Sequence, residues 1–201
     1  MHKLIALLVT SVLLTGCWEA DIDRVNVRLG DSIMMGATEQ WYWAELRQDN
    51  ADLTINNAIG GMTLSLPKAL EYWVCRVEAI DARLPIENIF VGLGTNDAAI
   101  DPAEQPQGAV EAAVHTFMES VRSDVQVYWT LPHAVVQPRH WETKAAIKRA
   151  ALAWPNLEVL DFELWVSQNT DEDFADLLLG DSIHLNNRGS HLLSEMQLEQ
   201  I

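Results

Sequence analysis

Four short segments of this chain carry residues suited to acyl-transfer chemistry. Residues 30–32 read Gly-Asp-Ser, and residues 181–184 read Asp-Ser-Ile-His. Between them lie a glycine pair at 60–61 and the sequence Gly-Thr-Asn-Asp at 94–97. A serine, a histidine, an acid and oxyanion donors are the groups that a serine hydrolase requires. Each segment is weak alone, since Gly-Asp-Ser is also an ordinary turn sequence. Together, the four predict a hydrolytic site.

Ser32 is the candidate nucleophile, because a serine hydroxyl becomes reactive when a base takes its proton. His184 is the candidate base, and Asp181 can orient it, since the i, i+3 spacing lets both side chains meet in a tight turn. The alternative interpretations are helix capping by Ser32 and a structural turn formed by Asp181 and His184. His133, which follows a predicted strand, is the second-ranked histidine, for a substrate contact.

Oxyanion donors are predicted in the two middle segments. The side-chain amide of Asn96 is one candidate, although asparagine is also a common turn residue. The backbone N–H of Gly61 is another, and Gly60 is its rival because either glycine could form the turn. The N–H of Ser32 is a third, because a serine that opens a helix has free backbone donors beside it.

The sequence Leu-Gly-Asp-Ser-Ile occurs twice, at residues 29–33 and 179–183. In the first copy the serine follows a strand and opens a helix. In the second copy the aspartate precedes a histidine by three residues. We therefore assign Ser32 as nucleophile and Asp181 as acid, with Asp31 and Ser182 as supporting residues.

Strands and helices alternate along the chain, which predicts a parallel sheet with helices on both faces. Strands are predicted at 25–29, 53–57, 89–93, 125–129 and 157–160. Helices are predicted at 34–48, 64–84, 109–121, 141–153 and 188–200, with a weak one at 173–179. Five strands suit a three-layer α/β/α sandwich with the flavodoxin-like order 2-1-3-4-5. Ser32, Gly61 and Asn96 follow the first three strands, so we expect them at one sheet edge.

The N-terminus has the features of a bacterial export signal. Lys3 precedes an apolar run over residues 4–14, which is short for a membrane span. The following Leu-Thr-Gly-Cys at 14–17 resembles a lipobox, which predicts a signal peptide at 1–16 and lipidation of Cys17. A plain secretory signal with an incidental thiol is the alternative. Residues 17–23 would then be a tether and 24–201 one domain. Trp18 favours the outer membrane, facing the periplasm.

Composition narrows the function further. The net charge of −16 argues against nucleic acid and anionic lipid as electrostatic partners. With Cys17 lipidated, Cys75 is the only thiol left, and its apolar helical surroundings predict a buried structural residue. No Cys–His spacing indicates zinc, and we expect no cofactor. The apolar content permits a dimer without requiring one.

The four segments resemble those of the SGNH, or GDSL-type, hydrolase family, over residues 24–201. The resemblance implies the SGNH hydrolase fold, a Ser–His–Asp triad of Ser32, His184 and Asp181, and no metal. It implies oxyanion donors at Ser32, Gly61 and Asn96. The Gly-x-Ser-x-Gly turn of α/β-hydrolases is missing, because Met34 takes its last position.

These observations predict a cell-envelope serine esterase that acts through an acyl-enzyme on Ser32. Only residues 97–107 and 167–172 form long loops, so we expect an open site that favours short acyl or O-acetyl groups, with a small molecule or a glycan as the alcohol. Alternatives are a lysophospholipase or thioesterase with an apolar groove near Ile100, Val135 and Val136, an acyltransferase, and a non-catalytic glycan-binding lipoprotein.

Overall fold

A five-stranded parallel sheet forms the centre of the molecule. The computed structural model describes residues 24–41, 53–133 and 136–201. The strand order is β2-β1-β3-β4-β5, as predicted. The strands are β1 (Val25–Gly30), β2 (Leu53–Ala58), β3 (Ile86–Gly92), β4 (Gln126–Thr130) and β5 (Leu157–Leu160). The first residues after β1, β2 and β3 therefore meet at one edge, because parallel strands share their direction.

Helices cover both faces of this sheet. They are α1 (Ser32–Gly36), α2 (Pro67–Asp81), α3 (Ala109–Glu119), α4 (His140–Ala151), α5 (Phe162–Asn169) and α6 (Asn187–Leu198). Short 3-10 turns lie at Asp97–Ala99 and Phe174–Leu177, and residues 38–41 are also helical. The predicted three-layer sandwich is confirmed.

Two buried clusters separate the layers. One packs α2, α3 and α4 against the sheet through residues such as Trp73, Phe117 and Ile147. The other packs α1, α5 and α6 against the opposite face, around Phe90 and Phe162. Because side chains alternate along a strand, Phe90 points to the second cluster while its neighbours in β3 point to the first.

Helix boundaries differ from the prediction in several places. The helix expected at 34–48 begins at Ser32, is interrupted at Ala37 and resumes over 38–41, and residues 42–48 lie outside the described part of the chain. The helix expected from residue 64 begins at Pro67, because proline lacks an N–H and suits the first helical turn. Helix α5 was not predicted, since its buried residues Phe162 and Val166 give too short a repeat to recognise.

Cys75 is exposed, so the prediction of a buried thiol is wrong. Helix α2 buries Ala69, Trp73, Val77 and Ile80. Cys75 is two residues from both Trp73 and Val77, which places it about 200° around the helix from each. The apolar residues near Cys75 in the sequence therefore lie on another face of α2 and do not cover the thiol.

The predicted signal peptide, the lipidation site Cys17 and the tether lie outside the described residues. Within 24–41, 53–133 and 136–201, no helix has both the length and the apolar character needed to cross a membrane.

Candidate active site

Ser32 stands at the sharp turn from β1 into α1. Asp31 is the N-cap of this helix, and its Oδ1 accepts a hydrogen bond from the N–H of Ile33 at 3.0 Å. Ser32 is thus the first helical residue rather than the cap. Gly30 permits the turn, because a Cβ there would overlap the side chain of Met34 and the carbonyl oxygen of Gly92. The tight turn leaves the Ser32 hydroxyl at the carboxyl edge of the sheet.

The structure brings Ser32, His184 and Asp181 into one hydrogen-bonded chain. His184 Nε2 lies 2.8 Å from Ser32 Oγ, and His184 Nδ1 lies 2.6 Å from Asp181 Oδ2. With its proton on Nδ1, the imidazole donates to Asp181 and accepts from the Ser32 hydroxyl. The hydrogen bond from His184, supported by backbone N–H donors, holds the pKa of Asp181 below its usual range. Asp181 is therefore ionised at neutral pH.

The loop that carries Asp181 and His184 is a compact turn on the surface. Asp181 Oδ1 accepts hydrogen bonds from the N–H groups of Ile183 at 2.9 Å and His184 at 3.0 Å. Leu179 N–H donates to the carbonyl oxygen of His184 at 2.7 Å, and Ser182 has a φ of 57°. About 45% of the Asp181 side chain and 39% of the His184 side chain are exposed. Local bonds rather than burial shape this loop.

Asn96 and the glycine pair lie on the other side of Ser32. Asn96 Nδ2 donates to the carbonyl oxygen of Met62 at 2.9 Å and approaches Asp31 Oδ2 at 3.3 Å. A Cβ on Gly60 would lie 3.9 Å from Cβ of Ser32, so the loop after β2 passes beside the serine. Gly61 has a φ of +75°, which favours glycine.

Backbone donors near Ser32 have no protein acceptor in the described residues. Neither Ser32 N–H nor Gly61 N–H donates a hydrogen bond to any residue of 24–41, 53–133 or 136–201. For Ser32 this follows from its position in the first helical turn, where no preceding carbonyl is available. Such donors are suited to an oxygen that gains negative charge during acyl transfer.

Two fully buried carboxylates support this side of the site. Asp97 accepts hydrogen bonds from Leu64 N–H and Ser65 N–H at 2.8 Å each and from Ser65 Oγ at 2.5 Å. It thereby fixes the loop that follows Gly61. Burial, with a further contribution from nearby Asp97, raises the pKa of Asp31 to about 7. The structural role of Asp97 was not predicted, although the residue belongs to the recognised segment 94–97.

His133 does not face a substrate, so that prediction is wrong. Only 2% of the residue is exposed, and its Nε2 lies 2.9 Å from the carbonyl oxygen of Ile183. Burial lowers the pKa of His133 to about 4, so the ring is neutral at neutral pH. Because a carbonyl oxygen can only accept, Nε2 carries the proton. The sequence placed His133 near the site and gave no sign of this contact.

The rim of the site is only partly described. Val136 is exposed and Ile100 is half-buried, whereas Val135 lies outside the described residues. Residues 167–169, expected in a loop, belong to α5. Across the described residues, no three His, Cys, Asp or Glu side chains are grouped so that they could hold a metal ion.

The profile of the GDSL-like lipase/acylhydrolase family matches residues 29–192. The chain belongs to this family. Its match spans all four segments recognised in the sequence, from Ser32 to His184. Members of the GDSL-like family are lipases and acylhydrolases by name, which supports a hydrolase activity for this chain. Comparison with curated proteins gives no significant match.

Solved structures of a lipase/acylhydrolase and of two esterases share the fold. A lipase/acylhydrolase from Enterococcus faecalis superposes with a TM-score of 0.71 at 21% identity, over 89% of this chain and 95% of that one. An acetylxylan esterase from Geobacillus stearothermophilus gives 0.65 at 14% identity, over 87% and 92%. The esterase EstA from Pseudoalteromonas gives 0.59 at 17% identity, over 87% and 94%. At these identities the likeness establishes the SGNH hydrolase fold.

Proposed function

We propose that this chain is a serine esterase that hydrolyses carboxylic esters through an acyl-enzyme on Ser32. The observation that carries the proposal is the chain of contacts from Ser32 Oγ to His184 Nε2 at 2.8 Å and from His184 Nδ1 to Asp181 at 2.6 Å. Both distances lie within the range expected for a nucleophile, its base and the group that orients the base.

In the first step, Ser32 Oγ attacks the ester carbonyl carbon while His184 Nε2 takes the hydroxyl proton. Asp181, ionised and bonded to Nδ1, stabilises the resulting imidazolium. The oxyanion accepts hydrogen bonds from the N–H groups of Ser32 and Gly61 and from the Asn96 amide. Each such donor contributes about 3 kcal/mol to the transition state. For Asn96, this requires the N–H that approaches Asp31 at 3.3 Å to turn toward the substrate.

The tetrahedral intermediate collapses when the bond between the carbonyl carbon and the alcohol oxygen breaks. His184 delivers the proton to the departing alcohol, which leaves an acyl group on Ser32 Oγ. Water then attacks this acyl-enzyme as His184 takes its proton, and a second collapse releases the carboxylic acid and restores Ser32. A sugar hydroxyl in place of water would make the same site an acyltransferase.

Short acyl or acetyl groups on a larger alcohol suit this site best. Asp181 is exposed and His184 is half-exposed, so a bulky alcohol can reach the point where His184 returns its proton. The acetylxylan esterase among the similar folds acts on an acetylated glycan by its name. Hydrolysis of p-nitrophenyl esters from acetyl to palmitoyl tests this preference. Activity that peaks at acetyl to butyryl supports it, and a peak at long chains contradicts it.

We further propose that Cys17 is lipidated and holds the domain at the bacterial outer membrane, facing the periplasm. Fully extended, residues 18–24 cover at most about 25 Å. They join the domain at the start of β1, and Ser32 lies beyond the other end of that strand, about 20 Å away. The surface path around a domain of this size is about 60 Å. A site so placed favours substrates in the aqueous phase over lysophospholipids in the same membrane.

Three variants test the nucleophile and the lipidation site separately. In Ser32→Ala, ester hydrolysis and labelling by a fluorophosphonate should both disappear, whereas Ser182→Ala should keep both. The opposite pattern would move the nucleophile to the second Gly-Asp-Ser copy. Metabolic labelling with a palmitate analogue should be lost in Cys17→Ala, and labelling that persists would exclude Cys17 as the lipid site.

A further inference from the structure

We propose that His133 is a positioning residue, whose Nε2–H holds the loop of Asp181 and His184 at the distance from Ser32 that proton transfer requires. The inference rests on the proposed function, since it concerns how the base is presented to the nucleophile. It assigns a role to a buried histidine that takes no part in the acyl-transfer steps.

The hydrogen bonds inside the loop fix its shape and leave its position open. Asp181 Oδ1 binds the N–H groups of Ile183 and His184, and Leu179 binds back to the carbonyl oxygen of His184. Each of these bonds joins two residues of 179–184. They would survive a movement of the whole loop over the sheet edge, which would separate His184 from Ser32.

The flanks of the loop are joined mainly to each other. Leu178 and Leu185 form an isolated antiparallel bridge, and Asn186 N–H donates to the carbonyl oxygen of Leu177. Among the described residues, the hydrogen bonds that reach 179–184 from another part of the chain come from two side chains. One is the contact between Ser32 and His184, and the other is the 2.9 Å bond from His133 to Ile183. The carbonyl group that His133 binds belongs to Ile183, the residue directly before the base His184.

His133 is itself fixed to the sheet. It follows β4 by three residues, and Leu131 N–H donates to the carbonyl oxygen of Leu160 at 2.9 Å. The imidazole makes edge contacts with Phe174 and Phe162, at ring-centre distances of 5.4 and 6.4 Å. With only 2% of the residue exposed, its donor has little freedom to move. The bond therefore holds the loop at a fixed position relative to β4.

The consequence for catalysis follows from distance. A displacement of about 1 Å between reacting groups can cost about 100-fold in rate. Losing the His133 donor would leave the Ile183 carbonyl without this partner. The packing of Ile183 against the second cluster and the Ser32 contact would then remain to hold the loop, which allows a small shift. Such a shift lowers kcat, because each proton transfer of the proposed mechanism passes through His184, and we expect KM to stay nearly unchanged.

The test compares three substitutions at His133 in the purified protein. His133→Phe keeps an aromatic ring and removes the donor, whereas His133→Gln keeps an N–H at a similar reach. We expect His133→Phe to lower kcat for p-nitrophenyl acetate about 10- to 100-fold with KM within about twofold, and His133→Gln to recover most of the loss. If the phenylalanine variant does not fold, His133→Met replaces it in the comparison with His133→Gln. Methionine also lacks an N–H donor, and its side chain is flexible.

A matched control removes another histidine hydrogen bond. His115 Nδ1 accepts from Trp154 Nε1 at 2.9 Å, on the opposite face of the sheet from α6. His115→Phe should leave kcat unchanged. His115 is only half-buried, so urea unfolding of both variants accompanies the kinetics. A loss of kcat in His133→Phe that exceeds its loss of stability points to the contact with Ile183.

Two readouts need no ester substrate and separate this inference from the proposed function. One is the rate of fluorophosphonate labelling at Ser32. The other is the downfield NMR signal of the His184 Nδ1 proton, which depends on its bond to Asp181. Labelling should slow in His133→Phe and recover in His133→Gln. The Nδ1 signal should persist in both variants, because the bond between Asp181 and His184 lies inside the loop and moves with it. If wild type hydrolyses no ester, the proposed function fails while these readouts still decide the role of His133. Equal labelling rates in wild type and His133→Phe, or equal losses in Phe and Gln, would overturn it.

Discussion

The two sides of the Ser32 site are held in different ways. On the sheet side, Gly61 and Asn96 follow β2 and β3, and buried Asp31 and Asp97 bind the loops behind them. On the loop side, Asp181 and His184 are substantially exposed in a six-residue turn. The sheet side is thus part of the folded core at the ends of its strands. The loop side is a surface element, joined to other described parts of the chain by the Ser32–His184 and His133–Ile183 hydrogen bonds and by the packing of Ile183.

Because of this difference, mutations on the two sides of the site should affect stability and catalysis to different extents. A change on the sheet side removes partners from buried donors and acceptors, and the whole domain loses free energy of folding. A change on the loop side alters exposed groups, for which water can substitute. We therefore expect mutations on the two sides to give opposite balances of activity loss and stability loss.

The largest expected effect is on activity, from Asp181→Asn. An amide cannot stabilise the imidazolium and favours the wrong tautomer of His184, so kcat should fall by about 10⁴-fold. The urea midpoint should stay close to that of wild type, because Asp181 is exposed. Steady-state kinetics and urea unfolding measure the two quantities. The control is Asp173→Asn, at an exposed aspartate whose Oδ1 accepts from the N–H of Ala175; it should change neither kcat nor the urea midpoint. A large drop in the urea midpoint of Asp181→Asn would contradict the expected difference between the two sides.

Asp97→Ala should show the reverse balance. It leaves the buried N–H groups of Leu64 and Ser65 without their acceptor, which costs on the order of 3 kcal/mol of unfolding free energy. Urea unfolding measures this loss. Asp101→Ala is the matched control, since Asp101 lies in the same loop and accepts from Ala103 on an exposed surface. Equal stability of the two variants would mean that burial of Asp97 does not support the sheet side.

Asp31 gives a pH test of the sheet side. Its folded pKa of about 7 exceeds the unfolded value of about 3.9. Between these values the folded chain keeps a proton that the unfolded chain has lost, so its stability falls as pH rises from about 4 to about 7. The slope is up to about 1.4 kcal/mol per pH unit and ends above pH 7. Urea unfolding from pH 4.5 to 8 should show a flatter profile for Asp31→Asn, and parallel profiles would contradict the burial of a proton on Asp31.

The smallest expected effect concerns Cys75, which lies on neither side. In a Cys17→Ser background it is the only thiol. Because Cys75 is exposed on α2, a thiol reagent should react at nearly the same rate with folded and urea-unfolded protein, and Cys75→Ser should leave kcat unchanged. Strong protection in the folded state would show that the thiol is covered.

How well each feature could be predicted from the sequence depends on how far apart in the chain its interacting residues lie. Alternation of strands and helices predicted the parallel sheet, and the count of five strands suggested the flavodoxin-like order that the structure has. Chain direction then placed Ser32, Gly61 and Asn96 at one edge, since parallel strands end on the same side of the sheet. The turn of Asp181 and His184 was predictable for a similar reason, because its bonds join neighbouring residues. Cys75 was mispredicted because its apolar neighbours in sequence lie on another face of α2. Helix α5 was missed because only Phe162 and Val166 mark its buried face.

The sequence by itself determined the fold class, the four segments and their common edge, because periodicity, turn residues and chain direction are local properties. Tertiary structure alone decided that Asp97 holds the loop after Gly61, that Asp31 is buried beside it, and that His133 binds Ile183. The contacts of Asp97 and His133 join residues that lie 32 or more positions apart in the chain. The burial of Asp31 likewise depends on distant segments, since Asn96 contacts it from 65 positions away. A local sequence pattern encodes neither these long-range contacts nor the burial of Asp31, since both arise only when the sheet and its helices pack together.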